Sequence, residues 1–92
     1  MTIAETVKWF DSIYDINRVE NQAKSDFWVG ATSDIESVKK KKDILLLGIT
    51  RCSNGDIARQ LFEDMRAEGF GIDQLSTRDE GGAIFVFLYK KR

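Results

Sequence analysis

Two segments of the chain are apolar at nearly every position, and they constrain the fold more than any other feature. They are ILLLGIT at 44–50 and AIFVFLYKK at 83–91. A half-exposed strand alternates apolar and polar side chains, whereas a strand covered on both faces is apolar throughout. We therefore predict a sheet with a central strand at 44–50, a buried strand at 83–91, and helices packed against it.

Apolar periodicity and capping residues mark the predicted helices. Thr2 and Glu5 have the spacing of a capping box, and Ser33 with Glu36 repeats that spacing further along the chain. Apolar side chains then recur every three or four residues, as on the buried face of a helix. The predicted helices cover residues 2–10, 34–42 and about 55–68, and Gly69 or Gly71 ends the last of them.

The predicted strands complete a small α+β fold. Residues 15–21 and 27–31 are expected to form an antiparallel hairpin around a turn at 22–26. A short strand at 72–76 and a turn at 77–82 precede the last strand. The element order is α-β-β-α-β-α-(β)-β, and it predicts a mixed or antiparallel sheet of three to five strands with helices against it.

Length and composition limit the chemistry. The 92 residues suffice for one domain, 1–92, with a single core. Histidine is absent and Cys52 is the only cysteine, which excludes intramolecular disulfides, structural Cys/His zinc sites and histidine base catalysis. No apolar run is long enough to span a bilayer, so we predict no membrane association and a cytoplasmic location.

Basic residues are concentrated in two segments although the net charge is only −1. The first segment is Lys39, Lys40, Lys41 and Lys42, with Arg51 nearby, and the second is the Lys90–Arg92 stretch. Clustered cations of this kind bind nucleic-acid phosphates or an acidic protein, but a solvated helix end and a frayed, solvated tail are the simpler explanations. Convergence of the two segments in space would favour binding, and an exposed Trp28 would serve as an anchor.

Two short motifs and a strand-to-helix junction stand at a characteristic spacing between residues 12 and 66. Asp15-Ile16-Asn17 comes first, a ten-residue spacer follows, and Trp28-Val29-Gly30 comes second. The junction after them is GATSDIESV, with Thr32, Asp34 and Ile35. In motif spacing and in this junction, the stretch resembles the GIY-YIG nuclease domain.

The resemblance implies two tyrosines, an arginine and a metal-binding glutamate, and most of these are replaced. The corresponding positions hold Asn17, Trp28, Val38 and Phe62. None of these side chains can accept a proton from water, neutralise a phosphate or bind Mg²⁺ as a carboxylate does. In an alternative alignment Tyr14 supplies the first tyrosine, and Glu63, one position from Phe62, supplies the carboxylate.

Three functions follow as hypotheses. The first is a non-catalytic GIY-YIG-like module with no metal or cofactor, binding a protein or nucleic-acid partner through Trp28, the four lysines and Arg51. It would suit an accessory or inhibitory protein of phage or mobile-element origin. The second is a divergent active endonuclease that uses Tyr14, Glu63 and Mg²⁺. The third is a small structural or oligomeric protein without a ligand.

Overall fold

A computed structural model describes residues 2–73 and 84–92 of the chain. Three α-helices, a short 3₁₀ helix at Lys24–Asp26 and four strands occupy these ranges. The helices are α1 (Ile3–Asn17), α2 (Ile35–Lys39) and α3 (Gly55–Ala67); the strands are β1 (Trp28–Thr32), β2 (Ile44–Arg51), β3 (Gly71–Ile72) and β4 (Phe85–Lys91).

The four strands form one mixed sheet in the order β2-β4-β1-β3. Strand β4 runs antiparallel to both β1 and β2, while β1 and β3 are parallel. This arrangement confirms the predicted α+β class. The predicted strands at 27–31 and 44–50 correspond to β1 and β2, and the last predicted strand contains β4. Most of the predicted 72–76 strand and the whole 77–82 turn lie outside the described residues.

Helices α1 and α3 cover one face of the sheet, which we call the α1/α3 face. Its core contains Phe10, Leu61 and Met65 from the helices with Val29 and Leu88 from the strands, all at most 2% exposed. The opposite face, the α2 face, is covered by a helix of only five residues. Its smaller core is formed by five buried side chains: Ile35, Val38, Ile44, Phe87 and Tyr89.

Helix α1 extends seven residues beyond its predicted end at residue 10. The capping box of Thr2 and Glu5 is present, with backbone-to-side-chain distances of 2.9 and 3.1 Å. Phe10 and then Tyr14 continue the buried stripe, so nothing in the pattern stops the helix. The predicted strand at 15–21 is therefore wrong: the helix continues to residue 17.

The predicted hairpin between 15–21 and 27–31 is wrong for the same reason. Ile16 and Val19, the apolar members of that predicted strand, are 81% and 60% exposed. Strand β1 instead pairs with β4, which lies more than fifty residues further along the chain, and with β3. A short apolar run is found both in strands and at helix ends, and here residues 15–17 belong to the helix.

The helices on either side of β2 begin with side-chain caps. Asp34, not the predicted Ser33, caps α2: its carboxylate accepts hydrogen bonds from the Ser37 hydroxyl at 2.7 Å and from the Ser37 backbone N–H at 3.2 Å. These bonds hold the pKa of the Asp34 carboxyl below its ordinary value. Asn54 caps α3 through the Ile57 N–H at 2.9 Å.

Helix α3 ends as predicted. The chain leaves it through Gly69, whose φ of +103° lies in the left-handed region that favours glycine.

Strand β2 is an edge strand rather than the predicted central one. Within the described residues β4 is its only sheet neighbour. Its apolar side chains are nevertheless divided between the two faces, with Leu47 against the α1/α3 core and Ile44 and Leu46 in the α2-face core. The pattern correctly predicted two covered faces, but it contains no information about how many edges are paired.

Among the described residues, no helix is both long and apolar enough to cross a membrane.

Candidate functional site

The two basic segments meet at one end of the sheet. Strand β4 runs antiparallel to β2, so the last residue of β4, Lys91, pairs with the first residue of β2, Ile44. The Arg92 N–H then donates to the Asp43 carbonyl at 3.0 Å, and Arg92 Nε donates to the Ile44 carbonyl at 2.9 Å. Backbone pairing therefore joins the Lys90–Arg92 stretch directly to the loop that ends with Lys42.

We call Lys39–Lys42 together with Lys90–Arg92 the basic end. It holds seven cationic side chains and one carboxylate, that of Asp43, whereas the remaining seven cations of the chain are outnumbered by fourteen carboxylates. A net charge near zero thus conceals a strong separation of charge along the chain. Separated charge of this kind creates a local positive potential that attracts anionic partners despite the overall balance.

The lysines of the first segment do not surround a helix end as predicted. Helix α2 finishes at Lys39, Lys40 caps it, and the next two lysines lie in the loop before β2. Lys39 forms an ion pair with Glu36 at 3.1 Å. Within residues 2–73 and 84–92, no ion pair is formed by Lys40, Lys41 or Lys42, and all three are exposed. They are therefore available to an external anion.

The second segment is held in place rather than forming a solvated tail. Lys90 Nζ donates to the Asn17 carbonyl at 2.9 Å, at the negative end of the α1 dipole. The residues Lys90–Arg92 were not among the site residues predicted from the sequence. Their fixed position could have been predicted from the sequence. The apolar run of the last strand leads directly into Lys90–Arg92, so pairing of that strand also fixes the backbone of these residues.

Trp28 lies at the basic end, but it is not an exposed anchor. It opens β1 opposite Tyr89 of β4, and its side chain is partly buried on the α2 face. Lys91 lies on the same face and places its Nζ 4.1 Å from the centroid of the indole ring, a cation–π contact. The indole is therefore only partly exposed and has Lys91 over its ring, and a binding role for Trp28 stays a prediction.

Arg51 lies at the other end of the sheet from the lysines. It ends β2, opposite Phe85 at the start of β4. From Ile44, beside the basic end, to Arg51 the strand spans about 23 Å, at about 3.3 Å for each of its seven steps. Sequence proximity suggested one cluster of Arg51 with Lys39–Lys42, but the intervening residues are fully extended and separate the two.

The positions implied by the GIY-YIG resemblance are not gathered in one cleft. Val38 belongs to the core of the α2 face and Phe62 to the core of the α1/α3 face, so the sheet lies between them. Asn17 ends α1, and its side-chain amide donates to the Ile13 carbonyl at 2.8 Å. Three of the four positions therefore have packing or capping roles, and Trp28 is covered as described above.

The two residues of the active-nuclease alternative have partners of their own. The buried Tyr14 hydroxyl donates to the Gln22 carbonyl at 3.3 Å, and Arg18 stacks on its ring. Glu63 is half exposed on α3 and lies 3.8 Å from Arg66. Among the described residues, no group of three or more acidic or cysteine side chains is placed to hold a metal ion.

Comparison with known proteins gives no relative for this chain: no protein-family model matches it, and no curated protein or solved structure is significantly similar to it. The GIY-YIG resemblance therefore stays a prediction. Of the elements that support it, β1, α2 and β2 follow one another as expected, while the expected first strand is helical.

Proposed function

We propose that this protein is a non-catalytic nucleic-acid-binding module whose basic end contacts the phosphate backbone. The convergence of Lys39–Lys42 with Lys90–Arg92 carries the proposal. Phosphate contacts need clustered lysine and arginine side chains in a fixed register, not a hydrophobic pocket or a metal. We further infer a cytoplasmic location, where a single free thiol such as Cys52 stays reduced.

The backbone around the cluster supports this function over a solvated surface. Strand pairing fixes Lys91 and Arg92, and the α2-to-β2 loop beside them carries Lys40–Lys42. Cations on a fixed backbone lose less conformational freedom on binding than cations on a frayed tail. Nucleic acid is favoured over an acidic protein because the exposed Lys40, Lys41 and Lys42 are consecutive and lie beside the end of β4, and a strand of phosphates presents charge at regular spacing.

Fluorescence anisotropy with labelled single- and double-stranded oligonucleotides of mixed sequence tests the proposal. About five phosphate contacts predict an affinity that falls roughly 10²- to 10³-fold between about 50 and 200 mM salt. Replacing Lys40, Lys41 and Lys42 together with glutamate should weaken binding about 100-fold at the lower salt concentration. These side chains are exposed, so the variant should retain the thermal stability of the wild-type chain.

A variant with the same change of net charge is the matched control. Lys8→Glu, Arg59→Glu and Arg66→Glu combined reverse three exposed cations that lie on α1 and α3, away from the basic end. This variant should retain at least a third of the wild-type affinity. Equal weakening by both variants would mean that only the net charge matters, and it would contradict a defined interface.

The competing functions give different results with the same samples. Polyglutamate that competes as well as an oligonucleotide would indicate an acidic protein partner instead. Nicking of a plasmid with Mg²⁺ or Mn²⁺ that disappears in Glu63→Ala would support the divergent nuclease with Tyr14 and Glu63. Binding to none of these polyanions at low salt would leave the structural or oligomeric function.

A further inference from the structure

The edge position of β2 conflicts with its composition. All seven residues from Ile44 to Thr50 are uncharged, and six of them are apolar or glycine. Natural edge strands are usually short, charged or interrupted by proline, because an open edge pairs with other chains. On the other edge of the sheet, β3 has only two residues. One edge is thus short, and the other is long, apolar and unpaired within the described residues.

An apolar stripe on α1 borders this open edge. Trp9, Ile13 and Ile16 recur at the spacing of one helix face, and Trp9 and Ile16 are 38% and 81% exposed. The helix packs closely on the middle of β2: a Cβ placed on Gly48 would lie 2.8 Å from Ile13 Cδ1 and 3.4 Å from Trp9 Cη2. Leu45, 38% exposed, adds to the same surface.

Helix α1 packs on the middle of β2 and ends near its start. Lys90 of β4, which pairs with Leu45 in the sheet, donates its Nζ to the carbonyl of Asn17, so the end of α1 lies within reach of the strand pair formed by the end of β4 and the start of β2. The apolar stripe and the open edge therefore form one continuous surface centred on Gly48. Exposed apolar patches of this kind mark interaction sites.

We propose that β2 pairs antiparallel with β2 of a second copy of this chain across a two-fold axis. The two sheets then become one continuous sheet, and the α1 stripes of the two copies meet above the axis. The unpaired N–H and C=O groups of each edge find partners, as in β-strand addition. In this arrangement β2 occupies the central position that its apolar pattern predicts.

Charge favours a second copy and the antiparallel direction. In the antiparallel register described below, Arg51, the last residue of β2, stands opposite Ile44 of the second copy, one residue from Asp43. The two-fold axis repeats this neighbouring pair of opposite charges. Both side chains are exposed and of opposite sign. Parallel pairing would instead set the two Lys40–Lys42 runs side by side, where like charges repel.

The bulge in β2 is consistent with one register. It places Leu47 and Gly48 on the same side, facing α1. Pairing Leu46 with Ile49 of the second copy then keeps side chains of the α2 face together. Pairing Leu45 with Thr50 does the same for the α1/α3 face, so both halves of the strand match.

This proposal does not depend on the nucleic-acid function, because the two surfaces are different. Trp28 and Lys90–Arg92 belong to β1 and to the end of β4, which the dimer leaves uncovered. The two basic ends of the dimer lie at opposite ends of the paired β2 strands. Arg51→Asp, at the other end of β2 from the basic end, and the combined Lys40, Lys41 and Lys42 variant therefore measure the two losses separately, whereas Asp43→Arg also adds a cation beside the basic end.

Sedimentation velocity on the full chain measures the association directly. We expect a species of twice the 10.5 kDa chain mass that dissociates on dilution. Arg51→Asp and Asp43→Arg alone should each raise the dimer dissociation constant about tenfold, because each creates two like-charged pairs. The combined variant restores opposite charges and should return to within about threefold of the wild-type value. Arg59→Asp, an equal charge change on α3, should leave association unchanged.

Leu45→Lys tests the edge independently, since it introduces a charge into the apolar surface near the start of β2. It should abolish the dimer while the far-ultraviolet circular dichroism spectrum stays that of the folded chain; if this variant does not fold, the charge pair decides alone. A wild-type chain that is monomeric up to about 100 μM would overturn the proposal. So would a dimer that persists in folded Leu45→Lys, or one that the combined charge reversal fails to restore.

Discussion

The two faces of the sheet differ in the size of their hydrophobic cores and of the helices that cover them. Seven of the eight largest fully buried side chains of the described residues lie on the α1/α3 face, and Phe87 alone lies on the α2 face. A helix of five residues cannot cover four strands, so Trp28, Leu46, Ile49 and Phe85 stay partly exposed there. The Lys91 side chain, and not a helix, covers the indole ring of Trp28. The comparison indicates that one face carries the stability and the other leaves surface for charged groups.

A pair of phenylalanines gives the largest contrast between the faces. Phe10, fully buried on the α1/α3 face, should lose about 3–5 kcal/mol of unfolding free energy as Phe10→Ala, because the surrounding core cannot close around the cavity. Phe85→Ala on the partly exposed α2 face should lose about 1–2 kcal/mol. Urea denaturation measures both, and equal losses would show that the two faces contribute alike.

A pair of valines repeats the test with a smaller change. Val86 is 0% exposed on the α1/α3 face, and Val38 is 7% exposed on the α2 face. We expect Val86→Ala to lower the unfolding free energy by about 2–3 kcal/mol and Val38→Ala by about 1–1.5 kcal/mol. The same denaturation assay checks the order. A larger loss at Val38 would mean that α2 is essential to the fold despite its length.

Alanine substitution at two glycines tests how closely neighbouring atoms pack against the backbone on each face of the sheet. A Cβ on Gly71 would lie 3.0 Å from both the Ser25 carbonyl oxygen and the indole ring of Trp28, and backbone atoms move only at a cost. We expect Gly71→Ala to lose about 1–2 kcal/mol. Gly48→Ala should lose less than about 1 kcal/mol, because its near neighbour is the flexible end of an isoleucine side chain. Thermal denaturation compares the two, and the reverse order would contradict the packing described.

A similarly small effect is expected from the Tyr89 hydroxyl on the α2 face. It donates to Asp73 Oδ2 at 2.8 Å, and burial together with this carboxylate raises the pKa of the phenol. Tyr89→Phe should lose about 0.5–1.5 kcal/mol at neutral pH.

Alkaline pH provides a second measurement on the same group. Because ionisation is harder in the folded than in the unfolded state, the contribution of Tyr89 is complete below the unfolded pKa of about 10 and declines as pH rises above it. The stability of the wild-type chain should therefore fall more steeply above that pH than that of Tyr89→Phe. Identical alkaline profiles would mean that the hydroxyl is not protected as described.

Several elements could be predicted from the sequence because their causes are local. The capping box of Thr2 and Glu5, the buried stripe of α3 and the glycine that ends it depend on residues within one or two helical turns. The limits of β2 are equally local, since Lys42 and the SNGD turn bound its apolar run. The end of α1 was predicted wrongly because the helix was ended at residue 10. Ile16 and Val19 were then interpreted as the apolar residues of a strand.

The order of the strands and the site could not be predicted in this way. The sequence by itself determined that 44–50 is an apolar strand with two covered faces and that two basic segments exist. Only the tertiary structure decided that β4 lies between β1 and β2, which places β2 at the edge and joins Lys42 to Arg92. The physical reason is that strand pairing is made by backbone groups common to all residues, so the partner is chosen by the packing of the whole chain and not by local pattern.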